Sequence, residues 1–243
     1  MLCYVSRLKR RERARAEQHS QSIMQNNGLQ LILASGSPQR AALLTEAGYV
    51  FEVIVPSDRA ECGVCSSETP PQLVARLACQ KAADVAGRRT AGLDRPAKKL
   101  EAESSRRIIV ACDTLCECQA QVLGKPRDER HARRMLELLS GREHHVYSGL
   151  CLWPIGGDSI SEKAQTHVRV ATTRLRMDAL SAEQIDEYLN SGLWKGKAGA
   201  FGYQDRLDWL QIVEGSESNV IGLPLELLAE MLASLGGQPT EAE

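Results

Sequence analysis

A mostly apolar run over residues 29–34 breaks at Ser35-Gly36-Ser37-Pro38, and apolar side chains then return at helical spacing at Ala41, Leu44 and Ala47. The pattern predicts a buried strand, a tight loop and a helix closed by Gly48. Ser37 stands at the expected N-cap and Pro38 in the first turn, so free N–H groups and two hydroxyls converge at the positive end of a helix dipole. Such a corner suits an anion, and Arg40 adds a fixed cation to it.

The alternation continues along the chain. Residues 49–55 predict a second strand, followed by a loop over 56–67 that carries Asp58 and Glu61. Thr69-Pro70-Pro71 opens a helix with apolar positions at 73, 74, 77, 78, 82 and 85. That phase leaves Lys81 at the edge of the buried face, where the pattern favours a solvated flank over a cation aimed into a cleft. Residues 87–107 are polar and read as a surface insertion. Residues 108–112 form a continuous apolar run, a central strand ending on Asp113 and Thr114. An acid there stands where α/β sheets place ligands, and it would be costly to bury without a cation or donors.

A hairpin over 115–123 leads to Gly124-Lys125-Pro126, and Asp128 caps a helix with apolar residues at 132, 135, 136, 138 and 139. Residues 144–153 and 166–177 predict antiparallel strands joined around Gly156-Gly157-Asp158. Ser181 and Gln184 form a capping box. The glycines at 199 and 202 predict a loop whose backbone approaches a ligand closely. A strand over 209–213 and a helix over 225–235 complete an α/β chain without internal repeats.

At 243 residues and 43% hydrophobic content the chain suits one domain with appendages. No apolar run approaches a membrane span. The formal net charge of −1 gives no case for nucleic acid or anionic lipid, although residues 1–23 hold six basic side chains against two acidic ones. Residues 1–27 read as a disordered or frayed helical extension; of the alternatives, a start at Met24 is favoured over a nucleic-acid or acidic-surface arm, while 28–236 form a single domain and 237–243 a frayed tail. Eight cysteines in a chain of this length fit a reduced cytoplasmic compartment. Cys62-x-x-Cys65 and Cys116-x-Cys118 are poor ground for a zinc site. Trp153, Trp194 and Trp209 read as core residues.

Seven blocks in order carry a resemblance. They are Leu33 to Arg40, Gln80-Lys81-Ala82, Ala111 to Thr114, Gly124-Lys125-Pro126, Leu139 to His144, Lys197 to Gln204 and Asn219 to Pro224. Together they resemble the Maf family of nucleoside triphosphate pyrophosphatases. The resemblance implies an elongated mixed-sheet fold with a deep cleft, similar to the inosine triphosphate pyrophosphatases. It also implies hydrolysis of a nucleoside triphosphate to monophosphate and pyrophosphate with a divalent metal, Mg²⁺ or Mn²⁺, by a possible homodimer. Asp113 matches the general base. Ser35, Arg40, Lys81 and Lys125 match phosphate-handling positions, and Glu61, chosen over Asp58, matches an acid that would join Asp113 as metal ligand. Thr114 and Gln204 match the specificity positions of the dTTP/UTP type, whereas Gln39 replaces an arginine of a tandem pair and Phe201 a tyrosine. The alternatives are a pyrophosphatase for 7-methyl-GTP or other modified nucleotides and a non-catalytic nucleotide-binding regulator of cell division.

The chemistry suits that residue set. Attack of water on the α-phosphorus leaves pyrophosphate, so charge must be stabilised on the transferred and leaving groups and a carboxylate must orient or deprotonate the water.

Overall fold

The computed structural model describes residues 29–61, 68–91, 107–155, 165–205 and 207–235. The basic extension, Cys62, Cys65, most of the 87–107 stretch, the Gly156-Gly157-Asp158 connection and the last eight residues lie outside them. In chain order the elements are β1 (Gln30–Ala34), α1 (Pro38–Glu46), β2 (Phe51–Val53), α2 (Pro70–Thr90), β3 (Arg107–Cys118), β4 (Gln121–Leu123) and α3 (Glu129–Leu139). There follow β5 (Glu143–Ile155), β6 (His167–Met177), α4 (Ala182–Ser191), β7 (Leu210–Glu214), α5 (Glu217–Ile221) and α6 (Leu225–Ser234). The strands form one seven-stranded mixed sheet in the order β2-β1-β3-β5-β6-β7, with β4 also paired to β3.

β1 runs parallel to β2 and β3, and the pairs β3–β5, β5–β6 and β6–β7 are antiparallel. This register leaves a gap. β1 ends at Ala34 opposite Ala111, whereas β4 begins to pair only at Cys116. Between them no strand among the described residues neighbours β3 on that side, while on the other side it stays in register with β5, Asp113 opposite Gly149 and Thr114 opposite Ser148. β3 therefore does not end on Asp113: it runs through to Cys118, paired among the described strands with β5 alone across the gap.

Alternation sorts β3 onto two faces. Ile108, Val110 and Cys112 pack with Leu43 and Leu44 of α1 and Leu227, Leu228 and Met231 of α6. Ile109 and Ala111 pack under Ala78, Ala82 and Val85 of α2, and Leu115 under Leu73 and Val74. Asp113 thus faces α2, and Thr114 faces α1. Beyond the gap, Cys116, Cys118 and Leu123 join α3, α4, Trp194 and Phe201 in another core cluster.

Besides β3, two element boundaries and one short helix differ from expectation. β2 spans only Phe51–Val53, although the backbone N–H of Ile54 still donates to Leu33 O at 3.0 Å. α2 continues through Gly87 to Thr90, because Arg88 donates to Val55 O at 2.9 Å and Arg89 pairs with Glu52 of β2. These anchors outweigh the roughly 1 kcal/mol that an interior glycine costs a helix. The short α5 forms where sequence suggested only a connection, capped by Ser216, whose hydroxyl accepts from the Asn219 N–H.

Candidate active site

Lys81 is 5% exposed, and its Nζ donates to Asp113 Oδ1 at 2.5 Å. A lysine buried to this extent is stable only with an acceptor for its charge, and Asp113 supplies one. The expectation of a solvated flank is therefore overturned: the helical phase placed Lys81 at a boundary, and the gap in the sheet opens that boundary onto a carboxylate. The other Asp113 oxygen has no hydrogen-bond partner among the described residues.

One turn further along α2, the Asp84 carboxylate accepts from the backbone N–H of Ser57 at 2.9 Å and from its hydroxyl at 2.6 Å. Burial works against the charged form of Asp84, but these bonds and the Arg88 guanidinium outweigh it and hold the carboxyl below its usual range. Ser57 begins the 3₁₀ turn Asp58–Glu61. The Glu61 side chain lies outside the described residues, so α2 fixes the turn without placing its acid.

On the opposite face, Arg40 reaches from α1 into the gap. Its Nε donates to Gly222 O at 2.8 Å, Nη1 to Ser35 Oγ at 3.2 Å and Nη2 to Thr114 Oγ1 at 3.3 Å. Thr114 and Ser148 share a hydroxyl hydrogen bond of 2.8 Å. The guanidinium thus ties α1, β3 and the segment after α5 together, and Ser35 Oγ also accepts from the Ser37 N–H at 3.1 Å. Ser37 takes the N-cap position but makes no side-chain cap, contrary to expectation; its hydroxyl donates instead to Gln39 Oε1 at 2.9 Å.

Gln39 and Gln204 come together on the wall of a cavity of about 610 Å³ between α1, α5 and the segment before β7, which Glu46, Tyr203, Asp208 and Glu217 also line. The glycines of the 197–204 loop make room for neighbouring protein side chains. A Cβ on Gly202 would lie 2.6 Å from Lys197 Nζ, and one on Gly199, at φ +72°, would lie 2.8 Å from the Phe201 ring. Lys197 in turn donates to both Asp205 oxygens at 2.5 Å, and the Tyr188 hydroxyl donates to one of them at 2.7 Å. The loop bearing Tyr203 and Gln204 is clamped at both ends. Lys125 is exposed and makes no ion pair with Asp113; its loop is fixed by Gly199 N–H donating to Gly124 O at 3.1 Å.

Residues 30–235 match the family described as Maf-like protein. The chain belongs to the Maf family. It is 50% identical over 203 residues to a dTTP/UTP pyrophosphatase of Rhodopirellula baltica, covering 83% of this chain and 80% of that protein. It is 36% identical over 207 residues to a dTTP/UTP pyrophosphatase of Geotalea uraniireducens, covering 85% and 95%. A third, from Sphingopyxis alaskensis, is 37% identical over 207 residues, covering 85% and 96%.

Several polar residues of this Maf domain escaped the sequence reading. Asp84 carried a signal, three residues after Lys81 on the same helical face. Ser148, Asp205 and the Gly222 carbonyl carried none, because strand pairing and loop closure bring them in. Among the described residues no three His, Cys, Asp or Glu side chains group to hold a metal. The Asp113 oxygen without a partner among the described residues is a donor of the kind Mg²⁺ takes, one or two carboxylates with water and substrate phosphate oxygens completing the shell. Cys116 and Cys118 are buried, with burial pushing both thiols up, so they serve the core. No described helix is long and apolar enough to cross a membrane.

Proposed function

We propose that this Maf domain hydrolyses dTTP and UTP to the nucleoside monophosphate and pyrophosphate. The shared name of its relatives supports the substrate class, and Asp113 carries the chemistry: a half-buried carboxylate at the gap in the sheet, one oxygen bound by buried Lys81 and the other open. Lys81 fixes the plane of the carboxylate. The open oxygen then orients a water and takes its proton as the water oxygen bonds to the α-phosphorus and the bond to the bridging oxygen breaks. Lys81 and Lys125 supply cations for the phosphates, with Ser35 as a donor and Arg40 holding the corner in shape. Asp113 and Glu61 are the residues that would hold Mg²⁺ or Mn²⁺, which when bound neutralises charge developing on the phosphate oxygens. The nucleoside occupies the cavity lined by Gln39 and Gln204. A mixed sheet with its polar groups at a gap also supports kinship with the inosine triphosphate pyrophosphatase fold.

One observation favours a second substrate. Glu46, Asp208 and Glu217 line the cavity with acceptors, which suits a cationic base such as 7-methylguanine. Pyrophosphate release from dTTP, UTP, 7-methyl-GTP and the other common triphosphates, with Mg²⁺ or Mn²⁺, separates the two. Asp113→Asn is expected to lower turnover about a thousandfold. Undiminished turnover in that variant would remove Asp113 from the mechanism, and nucleotide binding without turnover in the wild type would leave the regulator.

A further inference from the structure

Beyond the Lys81–Asp113 pair, α2 holds a second segment of the site. Both oxygens of Asp84 accept from Ser57, Oδ1 from its hydroxyl at 2.6 Å and Oδ2 from its backbone N–H at 2.9 Å. One turn further, Arg88 Nη1 donates to Val55 O at 2.9 Å and lies 3.4 Å from Asp84 Oδ2. The chain leaving β2 is therefore gripped twice by the helix, at Val55 and at Ser57. On its other side it meets the loop between β1 and α1. A Cβ on Gly36 would lie 3.3 Å from Val55 Cγ1, so the Val55 side chain rests against the Ser35–Ser37 corner. Val55 is 56% exposed, so burial in the core does not account for its place. Lys81, Asp84 and Arg88 follow at spacings of three and four, which puts them along one side of a rigid helix.

We propose that Asp84 is a positioning residue: by holding Ser57 it seats Val55 against Gly36 and sets the Ser35–Ser37 corner at a fixed distance from Lys81 and Asp113. The triphosphate must reach from the donors of that corner to the water held by Asp113. The spacing between the two therefore decides whether the α-phosphorus lies in line with the water. The inference rests on the proposed hydrolysis of dTTP and UTP, and it adds a residue that acts on the reaction only through the chain leaving β2.

The test compares Asp84→Ala, Asp84→Asn and Val55→Ala in the full chain. The readouts are kcat and KM for UTP with Mg²⁺ and calorimetric binding of tripolyphosphate, all below the thermal midpoint of each variant. Asp84→Ala is expected to lower kcat about thirtyfold and to weaken tripolyphosphate about tenfold, since a misplacement of about 1 Å costs an enzyme up to a hundredfold. In Asp84→Asn the amide still accepts from the Ser57 N–H and donates to its hydroxyl, so kcat should stay within about threefold of the wild type. Val55→Ala removes the contact with Gly36 alone and should lower kcat about tenfold. In that background Asp84→Ala should add only about threefold, because both changes break one chain of contacts. Where Asp84→Ala does not fold, Ser57→Ala loses only the hydroxyl bond and repeats the comparison with about a fivefold loss of kcat.

A lower thermal midpoint in Asp84→Ala with kcat and tripolyphosphate binding unchanged would make the grip purely structural and overturn the proposal. Fully independent losses from Asp84→Ala and Val55→Ala would overturn it too, because the effect would then bypass Gly36. So would an Asp84→Asn as impaired as Asp84→Ala, which would make the charge of Asp84 the active quantity. A wild type inactive on UTP and dTTP removes the functional reading instead, and the tripolyphosphate titrations then decide the role of Asp84 on their own.

Discussion

His144 enters β5 with 1% of its surface exposed, its ring edge-on to Phe201 at a centroid distance of 5.2 Å. Its Nε2 has no hydrogen-bond partner among the described residues. Burial pushes the imidazole down to about 4 from its ordinary 6.5. The folded protein therefore keeps His144 neutral at pH values where the unfolded chain binds a proton. Stability from this group is full above about pH 6.5 and falls as pH drops toward 4, by about 3 kcal/mol across the window. Urea midpoints at pH 7.5 and pH 4.5, compared between wild type and His144→Phe, should show the larger acid loss in the wild type; equal losses would mean that His144 does not titrate on unfolding. At this scale the sequence was readable for residue type and blind to partners. Asp113, Lys81 and Thr114 were singled out, but only the pairing of strands showed that Lys81 meets Asp113 while Arg40 meets Thr114 on the other face.

α2 carries Lys81 to Asp113 only because it lies directly on β5. A Cβ at Gly149 would come within 2.2 Å of Val74 O and 2.6 Å of the Ala75 backbone nitrogen, both in the helix backbone. Lys81 follows Val74 by two turns on the same face, so any retreat of the helix lifts Lys81 off the carboxylate. Gly149→Ala should therefore cost about 2–4 kcal/mol of stability and lower pyrophosphate release. Gly87 is the control, because a Cβ there meets nothing within 4 Å and the residue is helical. Gly87→Ala should stabilise by about 0.5–1 kcal/mol with turnover unchanged. Matching thermal shifts in the two variants would show that the helix does not rest on Gly149. The apolar spacing predicted α2 and its buried side, but not the glycine beneath it, since closeness of approach between a helix and a strand leaves no period in either sequence.

At the scale of the molecule, the legible part was the order of strands and helices, because buried strands and amphipathic helices have different periods. The gap between β1 and β4 was not legible, because it arises from strand lengths and register rather than from composition. Yet that gap positions Asp113, and it is built entirely from residues after 28. β1 is paired to β3 from Gln30 onward and to β2 from Leu31 to Leu33, and Leu29 packs against the adjoining core. The family match begins at the same place, residue 30. The described core clusters and the Arg40 and Gln39 hydrogen bonds are made among residues after 28. Deleting residues 1–23 should leave the thermal midpoint unchanged and kcat/KM for UTP within about twofold of the full chain. A larger fall in kcat/KM with an unchanged midpoint would instead show that the basic segment reaches the triphosphate and contributes charge to its binding.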